Sequence, residues 1–147
     1  MKNNTTTITK ILIELPTWLG DSVMSTPAIE NITKYFETPD ITLIGSNIST
    51  QALKNNPNVS KLIVLDKKLI STLKICYRLE KFDIFFLFKI LFGSKLLKLL
   101  IKSNKKFQFF NDTYSKKHQV EKYVEFVNQS LNITFSAGDL RIYHSNE

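Results

Sequence analysis

Residues 16–21 read Pro-Thr-Trp-Leu-Gly-Asp and follow a short Ile-rich apolar run that stops at Pro16. In open α/β sheets ligands bind beyond the carboxyl ends of the strands, so an ionisable side chain in such a loop is placed for ligand contact or proton transfer. Asp21 is that side chain, and it stands at the entrance to a helix whose positive end favours a carboxylate. Gly20 can take backbone conformations closed to other residues. The sole tryptophan, Trp18, falls in this loop rather than in a periodic apolar element. The plainer alternative is that Asp21 caps the helix, with Trp18 folded back over the core.

A second set of candidates is basic. The 147 residues carry 20 Lys+Arg against 13 Asp+Glu, a net charge of +7, and residues 61–110 alone sum to +9 while the flanking segments each sum to −1. A field so concentrated calls for an anionic partner: nucleic acid, an acidic membrane surface or a phosphorylated ligand. Only Arg78 and Arg141 are arginines, and base readout favours arginine, so nucleic acid ranks last. Lys95, Lys98 and Lys102 recur at helical spacing and line one side of a helix, with Leu96, Leu99 and Leu100 expected towards the other. Lys89 and Ser94 flank the end of a β-prone run. Both are candidate ligand contacts, with Lys95 beside them. Lys117 and His118 immediately precede a helix, from which His118 either titrates near neutrality or bonds a loop carbonyl.

Some chemistries are disfavoured. Cys76 is the only cysteine, and with His118 and His144 it yields no disulfide and no zinc spacing, so no metal is expected and the cytosol is the default compartment. The glycines at 20, 45, 93 and 138 form neither G-x-G-x-x-G nor a Walker A loop. No cofactor is expected by those routes.

These residues need elements to position them. Residues 8–15 read as a buried strand, and residues 22–38 as one helix stopped by Pro39. Strands are expected at 41–45, 62–65, 83–88, 107–110 and 140–143. Helices are expected at 49–55, 69–79, 94–102 and 118–131, the last with Val120, Tyr123, Val124, Val127 and Leu131 on one stripe. Strands alternating with helices argue for a Rossmann-like α/β domain, a parallel sheet covered on both faces. One domain over residues 1–147 is expected, with 1–7 and 145–147 frayed. The apolar region 82–101 carries Asp83, Lys89, Lys95 and Lys98. Spanning a membrane is therefore disfavoured, whereas lying on one is not.

The run from Lys10 to Ile29, with its Trp-Leu-Gly-Asp-x-Val-Met-x-x-Pro-Ala pattern, resembles the amino terminus of the bacterial lipopolysaccharide heptosyltransferases of glycosyltransferase family 9. The segment Lys-His-Gln-Val-Glu-Lys-Tyr at residues 117–123 is similar to one these enzymes carry before the last helix of their first domain. The resemblance implies the N-terminal half of a GT-B enzyme. It also implies inverting, metal-independent transfer of heptose from ADP-heptose to the lipopolysaccharide inner core. Asp21 then matches the catalytic base, with Thr17, Trp18 and Gly20 shaping the acceptor site. Implied partners are the inner-core acceptor, the anionic inner-membrane surface at which a cytoplasmic, peripheral enzyme works, and a C-terminal donor-binding domain expected to be absent here. The competing reading is a non-catalytic module holding anionic lipid or lipopolysaccharide precursor.

Overall fold

A computed structural model of the chain describes residues 7–89, 92–114 and 116–142. Five strands, β1 (Thr9–Glu14), β2 (Pro39–Gly45), β3 (Val59–Val64), β4 (Phe82–Leu87) and β5 (Ser103–Gln108), form one sheet in the order β3-β2-β1-β4-β5. Every pairing is parallel. The order reverses between β1 and β4, where Ile11 faces both Ile41 and Ile84 in register, and such a switch point opens a ligand crevice. The expected Rossmann-like architecture is the one observed.

Helices cover both faces: α1 (Leu19–Met24), α2 (Thr26–Tyr35), α3 (Asn47–Ala52), α4 (Leu69–Arg78), α5 (Phe92–Leu100) and α6 (Gln119–Leu131). Alternation along the strands divides the core. Ile11, Ile13, Ile41, Leu43 and Phe86 meet Ile29 and Ile32 of α2 and Val124 and Val127 of α6. On the other face Leu12, Ile44, Phe85 and Leu87 meet Cys76 of α4 and Leu97 of α5. The central strands are apolar on both faces because both are covered.

The single helix expected over residues 22–38 is two. Pro27, second in α2, has no N–H to give the Val23 carbonyl four residues back, and the Thr26 hydroxyl donates to that carbonyl instead at 2.7 Å. The strand expected at 107–110 lies earlier, at Ser103–Gln108, because an edge strand needs only one apolar face and its Lys105 is exposed. No strand forms at 140–142, and Tyr143 and His144 lie outside the described residues. This stretch belongs instead to an irregular strap over α2. Asn31 Nδ2 donates to the Ser136 carbonyl at 3.0 Å, Arg141 N donates to Thr26 Oγ1 at 3.1 Å, and the Arg141 guanidinium pairs with Glu30 at 3.1 Å. The strap leaves α6 through Asn132, whose φ of 54° is the left-handed turn that ends the helix. Of the ends expected to fray, all but Thr7 lie outside the described residues.

Candidate active site

Pro16 closes β1, and the chain turns into α1 through Trp18, the residue that caps this helix with its backbone. Ser22 fixes the turn: it is fully buried, and its hydroxyl reaches the carbonyls of Pro16 at 3.1 Å and Trp18 at 3.0 Å. Asp21 is not the cap but the third residue of α1, three past Trp18, and makes no cap bond. Its half-buried carboxylate enters no hydrogen bond or ion pair among the described residues and is felt by Tyr123 of α6. Burial chiefly pushes the Tyr123 hydroxyl up to about 12, with the charge of Asp21 adding and a hydrogen bond with Gln119 opposing.

Two expectations about this loop are corrected. Trp18 does not fold back over the core but is 70% exposed, since Pro16 and Ser22 hold the turn without it. Gly20 has no positive φ, and a methyl group added there would meet nothing within 4 Å. It is an ordinary helical residue.

A cavity of about 490 Å³ opens beside the loop, where the carboxyl ends of β1 to β4 face α4 and α5. Thr17, Lys89 and Ser94 line it together, as do Glu14, Ser46 and Lys67. Glu14 is the last residue of β1 and only 2% exposed. Its Oε1 accepts from the Ser94 hydroxyl at 2.5 Å. Burial drives the Glu14 carboxyl up to about 7, against the opposing pull of that hydrogen bond and of the Lys89 charge. A carboxyl so poised both accepts and donates hydrogen bonds near neutrality. Gly45 belongs to the same wall for a steric reason: an added Cβ would fall 2.9 Å from Ser49 Oγ and 3.3 Å from Leu15 Cβ.

The remaining candidates lie elsewhere. Lys95 is exposed and does not line the cavity. Lys117 pairs with Glu125 at 3.2 Å, and His118 caps α6 with its backbone alone, so both belong to the Asp21 side of the sheet edge. Leu99 does not turn inward as its spacing suggested. It is 79% exposed, and Leu97 and Ile101 fill the core instead. Sequence reasoning missed Glu14 as a site residue, although a lone charge ending a buried Ile-rich strand is a signal. Among the described residues no group of three or more His, Cys, Asp or Glu side chains could hold a metal ion.

No family model matches the chain. It is 38% identical over 135 residues to lipooligosaccharide heptosyltransferase 2 of Campylobacter jejuni subsp. jejuni serotype O:2, an alignment covering 90% of this chain and 42% of that protein. The fold matches that of a glycosyl transferase family 9 protein from Veillonella parvula, with a TM-score of 0.81 at 21% identity over 94% of this chain and 46% of the other. It also matches E. coli ADP-heptose lps heptosyltransferase II, with a TM-score of 0.70 at 16% identity over 92% of this chain and 47% of the other. The chain thus spans somewhat less than half the length of these relatives. In sequence and in fold together, the chain is similar to one part of the heptosyltransferases of glycosyltransferase family 9.

Proposed function

We propose that the chain is the acceptor-binding, base-supplying part of an inverting, metal-independent heptosyltransferase that moves heptose from ADP-heptose to a lipopolysaccharide inner-core acceptor at the cytoplasmic face of the inner membrane. Asp21 carries the reading. It is a carboxylate at the positive end of a helix, at the ligand-binding edge of the sheet, with no partner among the described residues to compete for a proton. The acceptor hydroxyl loses its proton to Asp21 as its oxygen attacks the anomeric carbon. The bond from that carbon to the diphosphate oxygen breaks on the opposite side, and ADP departs with the electron pair.

Asp21 does not line the Glu14 cavity, but Thr17 of its loop does, and the cavity is assigned to the part of the acceptor away from the attacking hydroxyl, with Thr17, Ser46 and Ser94 offering hydroxyls to a sugar and Lys67 and Lys89 attracting its acidic groups. Glu14 is not the base in this reading, because Ser94 holds it and it is half protonated near neutrality. The donor is assigned to a second domain of the full-length protein. The test is Asp21→Asn in that full-length enzyme, followed by transfer from ADP-heptose and by acceptor binding. Loss of turnover by at least a hundredfold with acceptor binding retained is expected. Undiminished turnover would overturn the assignment.

A further inference from the structure

The two helices on the outer side of the cavity carry a surface that the reaction does not use. On α4 the exposed apolar side chains are Leu69, Ile70, Leu73 and Tyr77, the last 92% exposed, and they recur on one stripe. Leu99 of α5 adds to them. An open groove of about 660 Å³ runs between the helices, with Leu73, Cys76 and Leu100 along it and Lys74, Arg78 and Lys102 beside them. Neither helix contains an Asp or a Glu. Lys67, Lys68, Lys74, Arg78, Lys95 and Lys102 form no ion pair among the described residues.

We propose that the α4–α5 face is the surface by which the protein lies on an anionic lipid bilayer. An apolar stripe bordered by basic residues is the pattern of an interfacial helix, whose leucines and tyrosine enter the headgroup boundary while the lysines stay at the charged surface. The predominance of lysine argues for lipid over an acidic protein, since protein interfaces are depleted in lysine and enriched in arginine. Each basic side chain near an anionic bilayer strengthens binding roughly fivefold. No helix among the described residues is long and apolar enough to cross a membrane, so the contact is one of lying on the surface. Leu69 belongs both to the stripe and to the Glu14 cavity. The bilayer contact is thereby continuous with the mouth of the acceptor site. The proposal rests on the membrane-borne acceptor for its purpose, while its evidence stands apart from Asp21.

The experiment is flotation of the chain with vesicles of phosphatidylcholine alone and of phosphatidylcholine mixed with phosphatidylglycerol. Binding to the mixed vesicles alone, released by added salt, is expected. Replacing Leu73, Tyr77 and Leu99 by Ser should weaken it at least tenfold, as should Lys74→Glu with Lys95→Glu, while Lys34→Glu on α2 serves as the charge control. All of these side chains except Leu73 are more than half exposed or lie on the solvent face, and far-ultraviolet circular dichroism checks that each variant is folded. No vesicle binding, equal binding to both vesicles, binding indifferent to the α4–α5 variants, or a dimer dissolved by the same variants would each overturn the proposal. So would capture on an immobilised acidic peptide without vesicle binding. Asp21→Asn should float like the unmodified chain. If it keeps turnover, the base assignment fails alone; if flotation fails while Asp21→Asn abolishes turnover, the bilayer surface fails alone.

Discussion

The Ser94 hydroxyl donates to Glu14 Oε1 across 80 residues of sequence, joining the end of the central strand to the start of α5 inside a buried site. The bond holds the cavity wall on both sides and offsets part of the rise that burial imposes on the Glu14 carboxyl. Because the fold raises the Glu14 carboxyl from its ordinary 4.5 to about 7, it favours the neutral form. The stability this group contributes is whole below its ordinary value and is lost as pH climbs towards 7. The loss is on the order of 3 kcal/mol. Urea unfolding at pH 5 and pH 8 should show that slope, and Glu14→Gln should flatten it. Equal slopes in the two proteins would show that Glu14 does not titrate as described.

Ser94→Ala removes the donor and leaves the carboxylate buried without it. The expected cost is about 1–3 kcal/mol at pH 8. It should be smaller at pH 5, where Glu14 is neutral. A cost independent of pH would point to packing of α5 alone.

The glycines at 20 and 45 should respond in opposite ways. Gly45→Ala drives a methyl group against Ser49, whose hydroxyl is already held 2.8 Å from that of Ser46. The expected loss is about 1–3 kcal/mol. Gly20→Ala meets nothing within 4 Å in a helix and should gain up to about 1 kcal/mol. Thermal denaturation of both variants decides the matter, and a destabilised Gly20→Ala would contradict the helical geometry of that turn.

The strap over α2 depends on Asn31, which is 3% exposed. Asn31→Ala breaks its bond to the Ser136 carbonyl. A loss of about 1–2 kcal/mol is expected, with faster proteolysis confined to residues 134–142. Cleavage elsewhere first would show that the strap is held by other contacts.

On β4, Phe86 is fully buried and packs against the rings of Phe107 and Phe126 at centroid distances of 5.5 and 6.2 Å. Phe86→Ala should cost about 3–5 kcal/mol. Equilibrium unfolding measures it, and a cost below about 1 kcal/mol would mean that the three rings do not share one core.

The parallel sheet was legible because its strands are short Ile-, Leu- and Phe-rich runs separated by helix-length segments. The details that failed were settled by contacts distant in sequence. Leu140 and Ile142 have strand-like residue types, yet Asn31 and Thr26 bind that segment to a helix. Leu99 was expected opposite the lysines with Leu96 and Leu100, but the rotation of α5 was decided by Leu97 and Ile101 fitting the sheet, which leaves Leu99 exposed. The break before α2 did have a local signal in Pro27, overridden by apolar spacing that continues through it. Asp21 was visible as a candidate because its loop is contiguous. Glu14 drew no notice as a site residue because the hydroxyl that donates to it comes from a distant helix.

The central place of β1 also has a consequence for the order of synthesis. It is made before the other four strands, and β2 can pair with one of its edges early, but its other edge belongs to β4, about 70 residues later. On the ribosome that edge, with Ile11 and Ile13 beside it, waits uncovered, a template for the wrong strand. Glu14 waits with it, still in water and charged. The arrival of β4 and α5 therefore both covers that edge of β1 and buries the carboxyl beside Ser94, so the step that completes the pairing of the central strand is the one that makes the cavity.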